Sequence, residues 1–270
     1  MDIFYLKLLL SFITGAIVVT LATLISERVS SRLGGIITGM PSTSVIALVF
    51  IAWSQGDWAA IESTYAMPLG LAAATLFVAV YFLAMGRFGK ALLPTLALSF
   101  FAWGILAIPA MISKQAILTS SLIYLPVLLV LYYIVDCSNK PNPQGNKPKA
   151  ERNEIIARAF FGGFVISLSV ITAKFAGPLF GGAFGTFPAV FSSTFIILHS
   201  KHGPDFMREF MRTIPLGSFS AFAFIISANT FCQVYGLIPG IVVAYGISLF
   251  ALAVLWAIRE KSLLKQNTKL

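Results

Sequence analysis

Charge is what this chain has least of. Only 11 % of its 270 residues are Asp, Glu, Lys or Arg, whereas 58 % are hydrophobic, against ~25 % charged residues in ordinary soluble domains. That imbalance excludes a soluble globular fold, because too little polar side chain is present to cover the surface. Cysteine is nearly missing as well: Cys137 and Cys232 are the only two, which excludes a disulfide framework and a thiolate metal centre. Ten acidic residues and two histidines leave little material for an intramembrane proton relay, so an ion-coupled pump finds no support, although sodium can be held by carbonyls and hydroxyls alone. No nucleophile–base pair, phosphate-binding glycine loop or paired-carboxylate motif is visible, so an enzyme is not expected, and neither is a cofactor or a metal.

What is present is apolar sequence in long runs, with a mean hydropathy of +0.88. A run of about 20 apolar residues crosses a ~30 Å hydrocarbon layer as a helix. Nine such spans are expected, at 4–25, 35–54, 66–86, 91–112, 116–136, 155–175, 181–200, 211–232 and 237–258. Backbone groups in lipid must be satisfied within the segment, and the strand alternation of a barrel is lacking, so the fold class is an all-α polytopic membrane protein. The first run lacks a basic leader and a small-residue cleavage site and is expected to be retained. Two stretches are hydrophilic: SNKPNPQGNKPKAERN at 138–153, which reads as a flexible linker, and the basic tail REKSLLKQNTKL at 259–270.

The nine spans can be tested against the lysines and arginines. With the N-terminus outside, 16 of them fall on the cytoplasmic side and only Lys7, Lys114 and Lys174 fall outside. This is the positive-inside bias of a plasma-membrane protein with a cytoplasmic C-terminus. The net charge of +9 is then loop charge, and no nucleic-acid partner is implied. The expected partners are the lipid bilayer and an unknown small solute; the oligomeric state is not legible.

The chain also repeats itself. GGIITGMPSTS at 34–44 matches GGAFGTFPAVF at 181–191, a shift of 147 positions. The same ungapped shift pairs Gly56 with Gly203, Glu62 with Glu209, and Pro68-Leu69-Gly70 with Pro215-Leu216-Gly217. The sequence therefore predicts two four-helix repeats, at 1–112 and 154–258, joined by an extra helix at 113–137. Five spans precede the second repeat, so it enters the membrane with opposite polarity, as an inverted repeat. The second unit's FGGAFGTFPAVFSSTFIILHSKHG, followed by PLGSFSAF, resembles the small GlpM-like membrane proteins and their uncharacterised relatives over roughly residues 177–250. That resemblance implies an integral membrane location and brings no substrate or catalytic residue with it.

The two glycine–proline stretches carry the site expectation. Proline lacks an N–H and clashes with the preceding turn, but it is tolerated where a helix starts. Pro41 and Pro188 are expected to mark helix starts or breaks, reached from opposite faces and brought together inside the bundle. Thr38, Ser42, Thr43 and Ser44 in the first copy, with Thr186, Ser192, Ser193 and Thr194 in the second, supply hydroxyls beside them. Free N–H groups there would favour anionic or hydrogen-bond-accepting parts of a solute. The competing account is that the glycines only permit close helix packing while the hydroxyls bond to backbone. His199 and His202, in HSKH, share a helical face but lack a third metal ligand. The stretch PDFMREFMRTI places Phe206, Met207, Phe210, Met211 and Ile214 on one face and Asp205, Arg208, Glu209 and Arg212 on a face expected to be solvated. The reading is a transporter or flippase of a small or amphiphilic solute working between the repeats; the alternative is a structural or accessory membrane protein with no flux.

Overall fold

The structure, a computed structural model, describes residues 3–136 and 151–267. These residues form twelve helices and no strand: α1 Ile3–Arg28, α2 Ser31–Gly39, α3 Ser42–Gln55, α4 Asp57–Ser63, α5 Met67–Phe88, α6 Leu92–Ile112, α7 Ile117–Asp136, α8 Arg152–Phe175, α9 Pro178–Gly185, α10 Ala189–Met211, α11 Ile214–Tyr235 and α12 Leu237–Asn267. Among the described residues nine helical stretches are long and apolar enough to cross a membrane, and their bounds fall within a few residues of the nine expected spans. Two of them, Leu33–Gln55 and Pro178–Met211, are not continuous, because each combines a short helix with a longer one after a break. Most of the expected linker lies outside the described residues. Its last three positions are more ordered than their composition suggests: Glu151 caps α8 through a reciprocal capping box with Glu154. The basic tail likewise continues α12 as helix as far as Asn267.

The 147-residue shift governs the backbone as well as the sequence. It carries Ser31, the start of α2, onto Pro178, the start of α9, and Ser42 of α3 onto Ala189 of α10; α5 maps onto α11 at both ends. It also carries Gly56 (φ 96°) onto Gly203 (φ 74°), and Gly89 (φ 57°) onto Gly236 (φ 81°). At Gly203 this left-handed backbone kinks α10, so Pro204–Met211 forms the equivalent of α4, which Gly56 separates from α3. Glycine is required there because a Cβ would strain a positive φ.

The copies also exchange contacts. Helix α1 packs on α8, its own equivalent. Phe4 meets Phe175 with ring centroids 6.2 Å apart, Phe12 meets Phe160 at 5.9 Å, and Glu27 meets Arg158 at 2.6 Å. Rising numbers on α1 meet falling numbers on α8, so the two equivalents run antiparallel. Gly15 sits on Ile166 while Gly162 sits on Val19, the same contact with the copies exchanged. Gly39 lies on Gly217 as Thr186 lies on Gly70, and Gly35 abuts the Phe210 carbonyl as Gly182 abuts that of Ser63. Each of these contacts between the copies thus recurs with the copies exchanged. Helix α7 has no counterpart among the described residues and packs against α5 and α11. The interior is built from α3, α5, α10 and α11, whereas α1, α6, α7 and α12 present large exposed apolar side chains such as Leu93, Phe101, Tyr133 and Phe250 around the perimeter.

The segment 204–214 departs from the expected solvated charge face. Met207, Phe210, Met211 and Ile214 are buried, but so is Arg212, which lies 3.7 Å from the shielded Glu209. Of the charged side chains Asp205 is exposed and Arg208 partly so, and the two lie 3.4 Å apart.

Candidate functional site

Each copy breaks a membrane crossing at its proline. Helix α2 ends as Met40 turns extended (φ −68°, ψ 157°), and α3 restarts after Pro41. Helix α9 ends at Thr186, and α10 restarts after Pro188. The breaks leave backbone groups without their helical partners. The Ser42 N–H donates to the Met40 carbonyl at 2.8 Å and the Val45 N–H to the Pro41 carbonyl at 3.0 Å, leaving the N–H groups of Thr43 and Ser44 with no protein partner. In the second copy Ala189 donates to Phe187 at 2.7 Å and Ser192 to Pro188 at 2.8 Å, leaving Val190 and Phe191 in the same condition. On the acceptor side, the carbonyls of Thr38, Gly39 and Thr186 receive no hydrogen bond, and that of Gly185 receives only the Ser44 hydroxyl at 3.4 Å.

Both breaks open onto one cavity of about 30 Å³, lined by Thr38, Gly39, Met40, Pro41, Thr43 and Ser44 from the first copy and by Thr186, Phe187, Pro188, Val190 and Phe191 from the second. That is room for about two water molecules. Unpaired buried backbone groups are costly unless water or a ligand meets them, so a polar occupant is expected here.

The structure thus brings Thr38, Pro41, Thr43, Ser44, Thr186 and Pro188 together. It does not bring in the other four expected residues. Ser192 and Ser193 turn back to the Pro188 and Ala189 carbonyls at 2.7 and 2.9 Å, and neither lines the cavity; Ser42 and Thr194 also lie away from it, with hydroxyls that are buried and unpartnered. The physical reason is the helix period. Successive residues on a helix point some 100° apart, so neighbours of a cavity-lining position face elsewhere, and for Ser192 and Ser193 the carbonyl one turn back is then the nearest acceptor. The same back-bonding engages Thr38 with Gly34 at 2.7 Å and Thr186 with Ala183 at 2.9 Å. Thr43 is the exception: it lines the cavity, is only 9 % exposed, and its hydroxyl has no protein partner.

Several neighbours escaped the sequence reading. Leu71 and Ala74 of α5 and Ala221 of α11 close the cavity; both helices are among the expected spans, but apolar run length does not say which of their residues face the breaks. Beside them a buried hydroxyl chain runs from Thr75 to Ser218 to Tyr124, each step 3.0 Å, and its last member comes from the unmatched helix α7. A buried ion pair, Arg158 with Glu27, ties α8 to α1 at 2.6 Å, and Lys201 joins it through Glu154. In sequence Arg158 is merely one of the 16 lysines and arginines on the expected cytoplasmic side. The histidines do not pair. His199 Nε2–H donates to the Gly89 carbonyl at 2.9 Å and Nδ1 accepts from Tyr81 at 2.6 Å, while His202 stacks on Phe206.

A duplicated bundle in which nine helical stretches among the described residues are long and apolar enough to cross a membrane, with a small cavity at two paired helix breaks, defines a multi-pass α-helical membrane protein. The model of a family described as protein of unknown function (DUF3147) matches the chain twice, over residues 8–116 and 155–261, and the chain belongs to that family. The two matches begin 147 positions apart, the same shift that the helices obey. Comparison with curated proteins and with solved structures found no match.

Proposed function

We propose that the protein is a transporter, moving a small solute through the cavity between its two copies. The observation that carries this reading is the convergence of two broken helices, one from each copy, on a single cavity whose lining residues include several with unpaired N–H or C=O groups. Secondary transporters built from inverted repeats place their sites at such helix breaks. The antiparallel packing of α1 on α8 supports the inversion, as does the odd number of crossings between equivalent helices. The cavity's size favours a small solute over an amphiphile, and the GlpM-like resemblance of residues 177–250 adds only the membrane setting.

The test is ligand-dependent stabilisation of the purified protein by a solute library, since a ligand bound only to the native state raises its stability, by about 2.7 kcal/mol at a hundred times Kd. Thr43→Val removes a hydroxyl that bonds nothing in the protein, so the unliganded variant should stay within about 0.5 kcal/mol of the parent while the ligand-induced shift shrinks. An unchanged shift in Thr43→Val would remove the cavity from the binding reaction. The alternative, a structural protein without flux, draws on the tight glycine contacts between copies and is favoured if no solute in the library raises the melting temperature.

The proposed orientation, with the N-terminus outside and the C-terminus cytoplasmic, follows from the lysine and arginine distribution. Asp57 and Lys90 are both exposed and lie at opposite ends of the bundle. With Cys137 and Cys232 replaced by serine, an impermeant thiol reagent applied to intact cells should label Asp57→Cys and spare Lys90→Cys. The reverse pattern would invert the orientation.

A further inference from the structure

The solute class can be narrowed from the cavity wall, on the premise that the transport reading holds. We propose that the cavity takes a small uncharged solute that both donates and accepts hydrogen bonds, of the carboxamide or urea type, and that it excludes inorganic ions. Considered alone, the unpaired N–H groups of Thr43, Ser44, Val190 and Phe191 would favour an anion, because helix N-termini carry partial positive charge. They do not stand alone. The same two breaks expose the carbonyls of Thr38, Gly39 and Thr186, with Gly185 held only by the long Ser44 contact. These carbonyls belong to the C-terminal ends of α2 and α9, which carry partial negative charge. Positive and negative helix ends therefore meet the cavity in equal number, and their fields oppose each other.

Among the described residues, no Asp, Glu, Lys, Arg or His lines the cavity to break that balance. An ion entering would leave its hydration shell for a wall without countercharge, a transfer far costlier than that of a neutral polar group. A neutral solute with N–H and C=O on adjacent atoms matches the wall instead, because each break presents unpaired donors and unpaired acceptors side by side. The Thr43 hydroxyl can serve either role. Size agrees: space for about two water molecules admits formamide and, at the limit, urea, but not a sugar or a lipid headgroup.

The experiment uses the full chain reconstituted into liposomes, with stopped-flow light scattering after imposed gradients of formamide, urea, sodium chloride or potassium acetate. Formamide or urea should equilibrate at least about five-fold faster than in protein-free liposomes, with salt fluxes unchanged. Thr43→Val should remove most of that increment, whereas Thr230→Val, at an exposed position on α11, should keep it. Salt flux without amide or urea flux would overturn the solute class and leave transport standing. No flux of any of the four, from protein that is monodisperse and melts at the parent temperature, would overturn the class and the transport reading together. Amide flux that Thr43→Val leaves intact would overturn the assignment to this cavity.

Discussion

Replacing Arg158 by methionine should lower the unfolding free energy by about 3–5 kcal/mol, the cost of leaving a buried charge without its partner. Arg158 is 1 % exposed and Glu27's side chain 2 % exposed, at 2.6 Å, so the carboxylate left behind would have neither water nor a countercharge at contact distance. The Arg158 Nε and Nη1 atoms are also buried and find no acceptor, so the guanidinium is itself incompletely compensated. The pair is therefore an expensive way to join α1 to α8. Replacing both residues, Glu27→Met with Arg158→Met, should recover most of the lost stability, because a buried pair exchanged for apolar side chains is often nearly neutral. Thermal or denaturant unfolding in detergent gives the four corners of the cycle. A double variant as unstable as the sum of the two single variants would show that the pair is not coupled.

Gly182→Leu and Gly35→Leu should each prevent normal packing, at a cost of at least ~3 kcal/mol, the upper end of the range for overpacked cores. A Cβ at Gly182 would run into the Ser63 carbonyl, and one at Gly35 into the Phe210 carbonyl and the Thr213 hydroxyl. Both obstacles belong to the other copy and are largely backbone, so no rotamer change relieves them. The two glycines are equivalent under the 147-residue shift, so the two variants should behave alike. Gly104→Leu is the control: nothing lies within 4 Å of a Cβ there, and its melting temperature should hold. Equal losses at Gly104 and Gly182 would mean that helix contact between copies is not what these glycines serve. This prediction stands whether or not the protein transports anything, since it concerns only how closely the copies approach.

The number of crossings, the duplication and the two break points were set by local sequence. Apolar run length against a fixed hydrocarbon thickness gives the crossings. The ungapped shift gives the equivalence of α5 with α11 and of α3 with α10, and Pro41 and Pro188 break their helices because proline cannot continue the hydrogen-bond ladder. None of that requires knowledge of a neighbour. Which hydroxyls face the cavity does require it. Ser42, Thr43 and Ser44 are adjacent in sequence, yet only the last two line the wall, because the face a residue takes on a helix is fixed by where the next helix packs. In the second copy the positions equivalent to Thr43 and Ser44 are Val190 and Phe191, so there only the backbone is polar; Ser192 and Ser193, which carry the conspicuous hydroxyls, turn away to the Pro188 and Ala189 carbonyls. Tertiary structure alone also decided the burial of Arg158. In sequence it is one basic residue near a helix start, where lysines and arginines ordinarily snorkel to water. Its partner Glu27 lies 131 positions away, and only the antiparallel packing of α1 on α8 turns two unremarkable end-of-helix charges into a dry ion pair.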